Sequence, residues 1–148
     1  MPDRVRPIRE DELPELLVLY QQLNSDDPVL EINESLLNHW KNILSNSDYF
    51  YLVLEEDGNL VSTCNMNIIK NLTRQARPYA LIENVVTHQD HRKKGYGTAV
   101  LHKAVQIAGE HGCYKVMILT SHKDEATLNF YENAGFSRGE KTGFIVRI

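Results

Sequence analysis

Residues 80–97 read Ala80-Leu81-Ile82-Glu83-Asn84-Val85-Val86-Thr87-His88-Gln89-Asp90-His91-Arg92-Lys93-Lys94-Gly95-Tyr96-Gly97, and this run decides the fold. Leu81, Ile82, Val85 and Val86 make an apolar strand interrupted by one carboxylate, Glu83, and one amide, Asn84. A polar turn follows, then a basic patch threaded with glycines, then a long amphipathic segment. A strand running into a glycine loop and a helix is a way to hold phosphate. Gly95 and Gly97 let the backbone come close, successive N–H groups converge, and the positive end of the helix dipole faces the anion. The pattern predicts that Arg92, Lys93, Lys94, Gly95, Tyr96, Gly97 and Thr98 hold the pyrophosphate of a nucleotide-containing cofactor. The other reading of the charge run is a solvated surface. A P-loop would need Gly-x-x-x-x-Gly-Lys-Ser/Thr, and a dinucleotide fingerprint would need glycine where Val100 stands, so both are excluded.

Upstream of this run, Val5 to Arg9 is a short extended start with Pro7 at an edge or strand end. Acids and an early proline in Asp11-Glu12-Leu13-Pro14-Glu15 open a helix that continues through Leu16, Leu17, Tyr20 and Leu23. A second helix covers Glu34 to Ser45, with Leu36, Leu37, Trp40, Ile43 and Leu44 as its stripe. Tyr49 to Leu54 is a strand, Glu55 to Asn59 a hairpin turn around Asp57-Gly58, and Leu60 to Ile69 the returning strand. After a polar loop, Tyr79 to Val86 pairs back, which makes an antiparallel meander.

Downstream, Thr98 to His111 is a helix with Val100, Leu101, Ala104, Val105 and Ala108 buried. Tyr114 to Leu119 is a mostly apolar strand, parallel to Leu81–Val86 because a helical crossover joins them. Glu125 to Ala134 is a last helix, ended by Gly135, and Phe144 to Ile148 is expected to close the sheet. The fold class is α/β in the mixed α+β sense: a central mixed sheet with helices on both faces. The whole of 1–148 is read as one domain, long enough to bury a core.

A net charge of -4 argues against a dedicated nucleic-acid binder. No apolar run reaches the roughly 18 residues of a membrane span, the N-terminus has no apolar leader, and a cytoplasmic location is expected. Cys64 and Cys113 are in no metal-ligand or redox spacing and read as reduced thiols. His88 and His91 share a turn with no further ligands beside them, so no metal is expected.

Arg92-Lys93-Lys94-Gly95-Tyr96-Gly97 resembles the Arg/Gln-x-x-Gly-x-Gly/Ala signature of the GNAT superfamily, the acetyl-CoA-dependent N-acetyltransferases. Ile82 to Val86 is similar to that family's fourth strand, and Asn129-Phe130-Tyr131-Glu132-Asn133-Ala134-Gly135-Phe136 to its Tyr-x-x-x-Gly-Phe block. The resemblance implies an antiparallel N-terminal meander plus a β-α-β-α-β tail, with acyl-pantetheine between splayed fourth and fifth strands. It implies acetyl-CoA (coenzyme A) as cofactor, with the backbone of Val85, Val86 and Thr87 bonding the pantetheine and the thioester carbonyl. It departs from the family at one point: Asp124 and Thr127 stand where an asparagine and an alanine are common, while Asn129 and Ala126 are out of register.

Acetyl transfer to an amine needs a base, because an ammonium with a pKa of about 10.4 is only about one part in 10³ neutral near pH 7. It also needs a proton donor for the departing thiolate and an N–H for the thioester oxygen. Glu83 is the candidate base, since partial desolvation within an apolar strand raises a carboxyl toward the useful range; the alternative is a glutamate paired with Arg74 or Arg77. Tyr131 is the candidate acid from its place in the motif; the alternative is a core aromatic on an amphipathic helix. Neither cysteine is flanked by anything that marks a nucleophile. The expected chemistry is therefore direct attack of a primary amine on the thioester, the alternative being a non-catalytic acyl-CoA-binding regulatory module.

The acceptor is expected against the N-terminal helices, residues 24–34 and the 71–79 loop. Asp26, Asp27, Glu31 and Glu34 there favour a cationic small molecule or a lysine or peptide amine; the bland reading is a solvated loop. The short closing strand and Tyr49-Phe50-Tyr51 offer a surface for a homodimer.

Overall fold

The computed structural model describes residues 1–148. Its five-stranded sheet runs in the order β1 (Val5–Pro7), β2 (Tyr49–Glu56), β3 (Asn59–Ile69), β4 (Tyr79–Thr87), β5 (Val116–Ile118). The first four strands pair antiparallel and β5 joins β4 in parallel, the mixed sheet expected from a meander followed by a helical crossover. The β2–β3 turn is Asp57-Gly58, and both residues have positive φ, 51° and 81°, as a two-residue type I′ turn requires.

Helices cover both faces. On one lie α1 (Leu13–Leu23) and α2 (Glu34–Ser45), burying Leu13, Leu16, Leu19 and Trp40 against Val53, Leu60 and Val86. The Asn33 side chain caps α2 by accepting from the Leu36 N–H at 2.9 Å. Trp40 locks the layer, donating its indole N–H to the Glu10 carbonyl at 2.9 Å and meeting Tyr51 edge-on at 5.1 Å. On the other face, α4 (Tyr96–Glu110) buries Ala99, Val100, Leu101, Ala104 and Ala108 against Leu52, Cys64, Met66 and Ile82. The last helix, α5 (Glu125–Asn133), packs Phe130 and Tyr131 against the same cluster. Between β3 and β4, α3 (Thr73–Ala76) is one turn whose Arg74, Gln75 and Ala76 are left-handed, φ 55°, 63° and 58°, a conformation L-residues adopt at a cost.

Two expectations are corrected. The glycine-loop helix begins at Tyr96 rather than Thr98, because Gly95 at φ 83° is its N-cap. The closing strand at Phe144–Ile148 does not form: that segment carries no regular structure, and β5 is the sheet's edge. No helix is long and apolar enough to cross a membrane.

Candidate active site

β4 and β5 pair only at Ala80–Val116, Leu81–Met117 and Ile82–Ile118. Past Ile82, β4 continues to Thr87 with β3 on one side and no strand on the other. The strands therefore part at Glu83, and the splay that the resemblance implied lies beyond it. A bulge opens this free stretch. Asn65 faces Glu83 and Thr63 faces Val86, so Asn84 and Val85 together oppose Cys64. Asn84 takes φ 53°, tolerable for asparagine, and the extra residue turns the strand's backbone groups out of the ladder.

The glycine loop meets the end of this stretch. Lys93 (φ 62°) and Gly95 (φ 83°) are left-handed with Lys94 between them, an alternation that gathers backbone N–H groups into an anion-binding concavity. The first helical bond runs from the Ala99 N–H to the Gly95 carbonyl at 3.0 Å. Tyr96, Gly97 and Thr98 are thus the first three helical residues, whose N–H groups have no intrahelical acceptor. Gly97 is there for space: a Cβ on it would lie 2.9 Å from Phe130 Cζ and 3.3 Å from Thr87 Oγ1. Gly95 has open space around it and is there for its backbone angle. Free N–H groups at a helix N-terminus suit a diphosphate such as that of coenzyme A.

The cationic side chains are engaged more than the sequence implied. Arg92 donates from Nε to the Thr87 carbonyl at 3.1 Å, tying the loop to the end of β4. Lys94 lies 3.7 Å from Glu56. Glu56, at the end of β2, also accepts from the Tyr96 hydroxyl and sits 2.8 Å from His91 Nδ1. The hydrogen bond from Tyr96, with those of His91 and the charge of Lys94, holds the Glu56 carboxyl below its usual range. Sequence reading missed Glu56, seeing only a turn residue, and took Tyr96 for a backbone donor when its ring is in fact buried.

Glu83 departs from its expected environment. It is exposed rather than desolvated, and no cation pairs with it, so neither Arg74 nor Arg77 holds it. Its register partner Asn65 is buried, with a side-chain oxygen that has no partner. The Tyr20 hydroxyl on α1 is also buried, with the Asn84 side chain beside it. Buried polar atoms without partners are uncommon. Beside Tyr20 a cavity of about 260 Å³ opens between α1 and the α1–α2 connection, lined also by Leu17, Asn24, Asp27 and Leu30. Asp27 is its only charged wall residue.

Tyr131 is half-buried on the opposite face, and burial, with Cys64 and Glu83 nearby, pushes its hydroxyl above the ordinary value. It stays protonated at neutral pH. The thiol of Cys64 is fully buried, donates toward the Val100 carbonyl at 3.7 Å and is pushed up to about 12, while burial also raises Cys113. Neither thiol is activated. The departure at Asp124 and Thr127 has a structural cause. Asp124 caps α5, accepting from the Thr127 N–H at 3.0 Å and from its hydroxyl. The two residues start the helix.

The sequence matches the acetyltransferase (GNAT) family over residues 8–136. It is 43% identical to a solved structure described as an acetyltransferase from Agrobacterium tumefaciens str. C58, covering 97% of this chain and 99% of that one with a TM-score of 0.91. It is 34% identical over 84 residues to the glucosamine 6-phosphate N-acetyltransferase of Trypanosoma brucei brucei, a match covering 57% of this chain and 55% of the relative. It is 41% identical over 61 residues to streptothricin acetyltransferase A of Bacillus subtilis (strain 168), covering 41% of this chain and 35% of the relative. The chain thus spans about half the length of the first of these curated relatives and a third of the second.

Proposed function

The chain belongs to the acetyltransferase (GNAT) family, and from that premise we propose that residues 1–148 act as one N-acetyltransferase domain moving an acetyl group from acetyl-CoA to a primary amine. The observation that carries this reading is the join of three parts at Gly97: the free end of β4, the unpaired N–H groups of the α4 N-terminus and the Phe130–Tyr131 face of α5.

Acetyl-CoA supplies an acyl carbon activated as a thioester. The residues of the chain do the rest. Tyr96, Gly97 and Thr98 offer N–H groups to the diphosphate, with Lys93 and Arg92 beside them. Val85, Val86 and Thr87 offer the unpaired side of β4 to the pantetheine amides and an N–H to the thioester carbonyl. Glu83, on the α1 face, takes a proton from the incoming ammonium, directly or through water. Tyr131, on the α4 face, gives a proton to the departing thiolate, and its burial keeps that proton available. With Cys64 buried and protonated, the amine attacks the thioester directly, without an acyl-enzyme.

The acceptor occupies the cavity beside Tyr20. Its wall offers the Asp27 carboxylate with Gln21 and Asn24 beside it and has no lysine or arginine, which suits a small cationic amine rather than a sugar phosphate. The reading also takes the protein to work in the cytoplasm.

The test is thiol release from acetyl-CoA across a panel of primary amines, including polyamines, amino sugars and a lysine peptide. Turnover with a cationic small amine is the expected result. Coenzyme A binding without turnover on any amine would leave a non-catalytic binding module instead.

A further inference from the structure

We propose that His91 and Glu56 form a proton-operated catch on the glycine loop, so that the loop holds coenzyme A more tightly when the His91 ring carries its second proton. The inference deepens the proposed function and rests on its reading that residues 92–98 hold the diphosphate. The first observation is that one carboxylate fastens both ends of this loop. Glu56 is the last residue of β2. It accepts from the hydroxyl of Tyr96, the first residue of α4. It also lies 2.8 Å from Nδ1 of His91, the last residue of the short turn Gln89–His91. Lys94, between the two, stands 3.7 Å from the same carboxylate.

The second observation is the setting of two histidines that the mechanism leaves unused. The rings of His88 and His91 stand edge to face at 5.6 Å. A carboxylate only accepts, so the His91 nitrogen facing Glu56 carries a hydrogen and donates it. A second proton on that ring makes the bond charge-assisted, which shortens and strengthens it. His88 is set differently. Its Nδ1 accepts the Asp90 N–H at 3.2 Å, with the Asp90 carboxylate 3.8 Å away, so a proton on that nitrogen would displace an existing bond. The Tyr96 hydrogen bond, with those of His91 and the charge of Lys94, holds the Glu56 carboxyl below its usual range. Histidine is then the side chain of this cluster that changes charge between pH 5 and 8. The remaining charge facing it is Arg4, whose guanidinium lies over the Tyr96 ring at 5.4 Å.

The third observation is what the catch controls. Lys93 (φ 62°) and Gly95 (φ 83°) lie between the two fastened residues, and their left-handed angles gather the N–H groups. For Lys93 that conformation carries a cost. A loop fastened at both ends meets the diphosphate already shaped, whereas a loop fastened at one end must be ordered on binding, with a loss of affinity. The added positive charge also attracts a diphosphate. Both effects have the same sign: affinity is highest with His91 protonated and falls as the pH rises through its titration.

The test is calorimetric titration of the full chain with coenzyme A at pH 6 and at pH 8, at one ionic strength. Affinity should fall about fivefold or more between them, the lower end of ordinary coupling between two sites. H91N keeps a neutral donor near the Nδ1 position and should lose this response, binding at pH 6 about as the unaltered chain does at pH 8. E56Q should bind weakly at both. An unaltered chain without the response, or an H91N or E56Q variant that retains it in full, would overturn the proposal. Coenzyme A binding at neither pH would overturn the reading on which it rests, and the catch with it. Linkage is reciprocal, so coenzyme A must also shift the titration of the His91 imidazole resonance to higher pH in the unaltered chain. A resonance that titrates at the same pH with and without coenzyme A would overturn the catch even where a variant misfolds.

Discussion

Phe130 and Gly97 are packed so that the ring's Cζ stands 2.9 Å from where a Cβ on Gly97 would lie. The start of the phosphate-facing helix and the helix carrying Tyr131 are thereby set at a separation that only glycine permits. G97A should force the two apart, at a cost of about 1–3 kcal/mol of overpacking, and weaken coenzyme A binding. Adding F130L should restore part of both losses. Calorimetric titration with coenzyme A and thermal melting check this; tight binding by G97A would show that the close approach is not needed.

The Glu56 carboxylate holds the same loop from the far side, through the Tyr96 hydroxyl and His91 Nδ1. Y96F keeps the ring and its packing but removes one of these ties. The Michaelis constant for acetyl-CoA should rise severalfold while kcat at saturation stays close to that of the unaltered protein. A fall in kcat alone would mean that Tyr96 acts in the chemistry rather than in loop position.

Glu83 and Tyr131 flank the gap from opposite faces of the sheet, one exposed and one half-buried. E83Q should lower kcat by about 10²-fold or more, the usual contribution of a positioned base or acid. Y131F should also lower kcat, and in both variants affinity for coenzyme A should be retained. Steady-state kinetics with the best amine decide it, and an unchanged kcat would leave the residue a packing or surface group.

Glu12 sets the position of α1 and so of Tyr20. Its side chain is 4% exposed and meets Arg6 at 2.7 Å and Arg9 at 2.8 Å. The Arg6 hydrogen bond, with the Arg9 N–H, holds its carboxyl below the usual 4.5. A lowered carboxylate contributes stability that is fully present above its unfolded value and is lost as pH falls through the folded one. E12Q should therefore cost about 1.5–3 kcal/mol near pH 7, the range for hydrogen bonds to charged groups. The gap in Tm between E12Q and the unaltered protein should close as the pH drops below 4. A gap that stays constant with pH would contradict this account.

Local signals carried most of the fold. Asp57-Gly58 placed the hairpin, the stripe from Leu36 to Leu44 placed α2 over Glu34–Ser45, and the crossover placed β5 parallel to β4. The glycine loop was legible because Gly-x-Gly before a helical period is a local pattern. What escaped depends on partners distant in sequence. Glu56 is 40 residues from Tyr96, and nothing near Glu55-Glu56-Asp57 distinguishes the gripping carboxylate from a turn residue. The bulge at Asn84 is a mismatch of register against β3, invisible from β4 alone. The exposure of Glu83 follows from the parting of β4 and β5, which strand periodicity does not encode. Phe144 to Ile148 has the composition of a strand, but composition does not say on which edge a strand will lie.

The central claim is that the α4 N-terminus and the free stretch of β4 hold coenzyme A. The measurement that tests it most directly is a crystal structure of the protein grown with coenzyme A. The account predicts the diphosphate on the N–H groups of Tyr96, Gly97 and Thr98, and the pantetheine arm beside Val85 to Thr87 with its sulfur toward Tyr131. Coenzyme A bound elsewhere on the surface, with that helix end in contact only with water, would contradict it.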